Sequence, residues 1–215
     1  MKKLVLSILA LVIFHMTVSA QETTAALQSV VTKLDQAKKA KDYEALEKEF
    51  LAVAEQQKSW LPYYYAAFCN AKVGFINQDD GESIEPYSIR GEEQVEKAKS
   101  MLDTVRQKKE LSELFTVLSM VYRTKVFINP MTYGRKYGIL SQQYRVKAQE
   151  LDPENPRALY VQAWELYKTP KMWGGDKEAA KKLSERSLAL LQNTKADVNP
   201  HWGKAENEEL TGKNK

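Results

Sequence analysis

Apolar residues recur at three- and four-residue spacing along most of the 215-residue chain, the period of helices that bury one face. From 24 to 40 that face carries Ala26, Leu27, Val30, Val31, Leu34 and Ala37. Lys41-Asp42 interrupts it, and Tyr43, Leu46, Phe50, Val53 and Ala54 mark a second face that ends near Gln57. An aromatic-rich third helix is expected over 60–75, and a fourth over 91–107 with Val95, Ala98, Leu102 and Val105 inward. A fifth, 111–127, aligns Leu114, Leu118, Val121 and Tyr122; a sixth, 137–151, aligns Leu140, Tyr144 and Ala148. Asp152-Pro153 and Asn155-Pro156 lie outside helix interiors, because proline has no backbone donor and restricts the residue before it. The seventh helix, 158–167, packs through Leu159, Ala163, Leu166 and Tyr167. Gly174-Gly175 breaks the pattern, and Asp176 offers a capping oxygen to an eighth helix carrying Ala179, Ala180, Leu183, Leu188 and Leu191.

A lone helix pair cannot bury its apolar face, so these elements are expected to stack as hairpins. Closely packed positions align as Leu34, Ala67, Ser119 and Ala163 in the first helices and Leu46, Ala98, Ser141 and Ala180 in the second. Their separations are 12, 31, 22 and 17 residues. Relative to the first pair, about 19, 10 and 5 residues are extra, expected as loops projecting from one side.

The segment LDPENPRALY resembles the junction between two tetratricopeptide repeats, where a proline closes one repeat and a helix opens the next. GGDKEAAKKLSERSLAL is similar to the second helix of such a repeat. Leu159 stands where the family has a large aromatic, while Ala180 and Ser187 fall on its two small positions. TPKMWGGDKE is similar to a pattern in exported bacterial proteins with divergent repeats of this type. The resemblance implies an all-α fold, a right-handed α-solenoid of about four antiparallel hairpins whose first helices line a concave groove. It places Tyr64, Phe68, Thr116, Met120, Arg123, Arg157, Tyr160, Trp164 and Tyr167 on that groove. Aromatics beside arginines offer a rigid apolar area and donors for carboxylates, a cradle for a peptide or partner helix. For each aromatic the competing reading is core packing; Arg123 and Arg157 are read as groove residues.

The beginning of the chain reads as an address. Lys2 and Lys3 precede an apolar run from Leu4 to Phe14, and Val18-Ser19-Ala20 supplies small residues for cleavage near Ala20. The run is short for a membrane span. The expected organisation is a signal peptide over 1–20, a helical repeat domain over 21–205, and a flexible tail over 206–215. Pro200 and Trp202 are expected to fold back on the last hairpin, with Trp202 as a cap contact. Loss of Lys2 and Lys3 takes the formal charge from +4 to +2, which leaves no basic stripe for nucleic acid. No second long apolar run follows, so the mature chain is expected in the periplasm or secreted, without membrane insertion.

Candidate chemistry is thin. Cys69 is the single cysteine and sits in an apolar helix pattern, where a buried, inert thiol is expected. After the leader, His201 is the one histidine left, too few for a Ser–His or Cys–His pair or a nitrogen and sulfur zinc site. No enzyme activity, cofactor or metal is therefore expected. Asn77 to Glu82 gathers acidic oxygens that calcium uses, yet the spacing departs from the EF-hand and reads as a solvated loop. Asn129 to Tyr137 reads as a basic turn, and Gly174-Gly175 lacks the strand and lysine of a phosphate loop. The expected role is an exported interaction or scaffolding module for a protein or peptide partner. The alternatives are a small-ligand carrier whose groove the inserted loops close, and a carboxylate-dependent hydrolase. These residues set neither the partner nor an oligomeric state.

Overall fold

The computed structural model describes residues 24–212, so the leader expected over 1–20 lies outside the described residues. The helices are α1 (24–34), α2 (Ala40–Gln56), α3 (Trp60–Ile76), α4 (Gly81–Lys99), α5 (Lys108–Ile128), α6 (Pro130–Leu151), α7 (Pro156–Lys168), α8 (Lys177–Leu191) and α9 (Lys204–Leu210). A 3₁₀ turn, Lys171–Trp173, lies between α7 and α8. Among the described residues there is no strand, and no helix is long and apolar enough to cross a membrane. The all-helical class expected from the periodicity is the class observed.

Local chemistry starts several of these helices. Asn155 accepts from the Arg157 and Ala158 amides at 2.9 and 3.2 Å, with Pro156 in the first turn. Asp176 does the same for Glu178 and Ala179 at 3.0 and 2.9 Å. Asn129 accepts from Thr132 N at 3.0 Å ahead of Pro130. Each cap satisfies donors that the first helical turn leaves orphaned, and proline at the start gives up a donor unused there.

From α2 to α9 each helix packs on its sequence neighbours, and α3, α5 and α7 pack in a row. The α5–α6 hairpin runs antiparallel: Ser112 Oγ donates to Ala148 O, Phe115 meets Tyr144, Ser119 Oγ donates to Ser141 O, and Tyr122 stacks on Tyr137. Ser119 and Ser141, aligned from sequence, thus touch at 2.8 Å. Phe50, Tyr64, Tyr65, Leu114 and Leu118 anchor a core in which Phe50 stacks on Tyr65 at 5.0 Å.

Several expectations need correction. The extra residues of the second and third hairpins form no projecting loops; they lengthen α4 and α6 at their N-terminal ends, to Gly81 and Pro130. Asn77 to Asp80 is a short turn, and Gly81 and Glu82 are already helical. Gly91, read as a helix start, is a crossing point: a Cβ there would lie 2.9 Å from Val121 Cγ2. Gly74 serves the same purpose against Thr124, whose Cβ would stand 2.7 Å away. Absent side chains let α3 and α4 approach α5 closely. Residues 206–210, read as part of a flexible tail, are helical in α9, and Asn207 is fully buried.

Candidate functional site

One face of α3 carries Phe68, Lys72 and Phe75, spaced to share a side of the helix. Met120 and Arg123 of α5, Ser141 of α6, and Tyr160, Val161, Trp164 and Glu165 of α7 converge on the same space. The chain after α8 crosses this face and adds Trp202 and Glu206. Between them lies a cavity of about 80 Å³, small beside the roughly 300–1,000 Å³ of ordinary ligand pockets.

Its walls are aromatic. Phe75 and Trp164 meet edge to face at 5.0 Å, Phe68 stacks on Trp202 at 4.6 Å, and Tyr160 meets Trp202 edge-on at 6.2 Å. The Trp202 indole N–H donates to Tyr64 Oη at 2.8 Å. Its charges are matched in pairs. Lys72 Nζ bonds Glu206 Oε1 at 3.1 Å, with each side chain about four-fifths covered. Burial pulls the Lys72 pKa down, but Glu206 together with Tyr43 and Glu209 holds the ammonium above its ordinary value. Arg123 pairs with Glu165, which also accepts from Arg145 Nε at 3.0 Å. Two guanidinium groups therefore share one carboxylate, and within the lining Lys72 and Arg123 are balanced by Glu206 and Glu165. Burial pushes the Tyr160 phenol well above its usual range, so it stays a neutral hydroxyl.

A solved structure shares this fold. It is the haemophore HusA from Porphyromonas gingivalis, matched with a TM-score of 0.72 and 27% sequence identity over 86% of this chain and 89% of that one. No protein-family model matches this sequence. No curated protein matches it either.

Of the residues placed on a groove from sequence, Met120, Arg123, Tyr160 and Trp164 meet at the cavity wall. Phe68 lies behind Trp202, which covers its ring. Tyr64 and Arg157 instead belong to the core, where both bond the buried Glu113 carboxylate. Thr116 is fully buried and donates to Ser112 O within its own helix. Tyr167 stands apart in an open cleft with Lys168 and Pro170. Lys72 and Phe75 were missed, although they continue the Phe68 stripe by one and two turns. Trp202, read as a cap contact, enters the wall of the cavity. Together with Glu206 it was beyond reach, because only the folded course of the chain brings residues near 200 against α3.

Proposed function

We propose that the chain is an exported carrier for a flat aromatic ligand bearing carboxylates, haem or a related porphyrin, held between α3, α5 and α7. The observation that carries this reading is the pairing of aromatic walls, Phe75, Tyr160 and Trp164, with the basic side chains of Arg123 and Lys72. A macrocycle needs apolar faces to cover it and cations to meet its acidic edge. Likeness to a haemophore supports the same class of guest. The lining holds no histidine or cysteine, and Met120 and Tyr160 are the side chains that would ligate an iron there; stacking and charge are what its aromatic and basic residues add.

This reading replaces the peptide groove expected from sequence, because the space left is narrow and the chain's own segment 198–206 lies across it. Closure comes from that segment and not from inserted loops. The row of α3, α5 and α7 supports a short superhelix of stacked hairpins as the frame. Export is supported by the pattern over residues 1–20 and by the kind of protein whose fold is shared.

Titration of the protein from Gln21 onward with ferric haem tests the reading. We expect a saturable change in the haem absorbance band. Trp164→Ala or Arg123→Gln should weaken binding at least about tenfold, or 1.4 kcal/mol. Absence of saturable binding at micromolar protein would refute the carrier reading.

A further inference from the structure

The segment that crosses the cavity differs from the frame around it. Residues 192–203 contain no helix; beside the packing of Val198 and Trp202 against the core, three polar contacts hold them, two to α3 and one to the turn after α1. Tyr65 Oη donates to Val198 O at 3.0 Å, His201 Nε2 sits 2.9 Å from Asp35 Oδ1, and Trp202 Nε1 donates to Tyr64 Oη. On its far side Gly203 holds φ at 115°, a backbone setting natural to glycine. Immediately beyond, Asn207 fixes α9 to α8: Ser184 Oγ donates to its Oδ1 at 2.7 Å, and its Nδ2 donates to Ser187 Oγ at 2.9 Å.

What this segment inserts is chemically specific. Trp202 lays a flat ring on Phe68 and against Tyr160, and Glu206 gives Lys72 its carboxylate. We infer that Trp202 and Glu206 are an internal stand-in for the guest, an aromatic plane and a carboxylate that an incoming ligand displaces. The inference rests on the carrier reading above and adds its gate and its selectivity. The cavity of about 80 Å³ is far below ligand-pocket size; space for a macrocycle opens when residues 198–203 swing out about Gly203. Asn207 keeps α9 docked meanwhile, so Glu206 leaves Lys72 by rotating its side chain alone. Lys72 is largely buried, and an ammonium left there without a counter-charge is costly. Displacement is thus favourable for a guest that brings its own carboxylate. A guest of the same shape without one leaves Lys72 unpaired.

Three measurements on the chain from Gln21 onward decide the matter, using ferric haem and haem dimethyl ester as probes. Amide exchange over 198–203 should accelerate when haem is bound, while the amides around Asn207 stay protected. Haem should bind at least about tenfold more tightly than its dimethyl ester, and Lys72→Met should erase most of that preference. Asp35→Asn, which loosens the His201 contact outside the cavity, should tighten haem binding several-fold. Trp202→Ala should do the same if it folds, and Asp35→Asn carries the test if it does not. Greater protection of 198–203 on binding, weaker binding by Asp35→Asn, or equal affinity for ester and acid would each overturn the stand-in while leaving the carrier reading in place. Failure of haem to bind at all would remove both.

Discussion

Arg157 grips Glu113 face to face, with Nε 2.9 and 2.8 Å from the two carboxylate oxygens and Nη2 2.7 Å from Oε1. Tyr64 donates to the same carboxylate at 3.1 Å and accepts from Trp202. Burial works against the Arg157 charge, yet Glu113 raises the guanidinium pKa by standing in for the lost solvent. The pair clamps α7 to α5 and ties both to α3. Arg157→Leu should strand the carboxylate and cost about 3–5 kcal/mol in urea unfolding. Arg157→Glu sets two acids together and should be worse; a loss below about 1 kcal/mol would mean the pair is solvated.

Close helix crossings give a prediction with opposite signs at two glycines. In α3, Gly74→Ala drives a methyl to 2.7 Å from Thr124 Cβ, so α3 and α5 must part, at a cost of about 1–3 kcal/mol. In α6, a Cβ at Gly138 meets nothing within 4 Å, and Gly138→Ala should stabilise by up to about 1 kcal/mol. Paired thermal melts check both, and equal effects would discount the crossing.

The thiol of Cys69 is fully buried on α3, and burial pushes its pKa well above the ordinary value. A disulfide reagent should leave it unmodified in the folded protein and react fully in denaturant. Stoichiometric labelling under native conditions would show that α3 opens locally.

Acid should loosen the contact between α4 and α5. Burial alone would raise the Glu92 carboxyl, but hydrogen bonds from Lys125 and from Tyr122, at 2.7 Å, hold it below its ordinary value of 4.5. A lowered carboxyl pKa adds stability above the ordinary value, and that stability is lost as pH falls through the lowered one. With 36% of the Glu92 side chain exposed, screening keeps the gain under about 1 kcal/mol. The stability gap between the native chain and Glu92→Gln should therefore close between about pH 5 and pH 3. A gap that persists at low pH would assign the effect to packing.

The parts of the fold that sequence reveals are those set by neighbours in the chain. Asn155-Pro156 and Asp176 fix the starts of α7 and α8 because a cap and its helix are local partners. The first turns of α4, placed from sequence only from 91 onward, escaped although Ile84, Ser88, Gly91, Val95 and Ala98 form one buried stripe. Two of its members are small rather than apolar, so the stripe is legible only against α3 and α5. The first turns of α6 escaped differently: no residue from 129 to 140 is buried, which leaves no periodicity to read. Helical phase found Met120, Arg123, Tyr160 and Trp164, left Tyr64 open between groove and core, and mistook Arg157 for a groove residue. Glu113, the partner of both Tyr64 and Arg157, is distant in sequence, and phase alone does not separate an inward face from a hollow one.

The segment after α8 also changes how the whole molecule comes apart. Stacked hairpins touch only adjacent units and tend to fray from either end. Here Val198 meets Tyr65, His201 meets Asp35, and Glu206 meets Lys72, so the finish of the chain is fastened to its opening helices. The helices tied in this way should melt together, as a single event across the described residues.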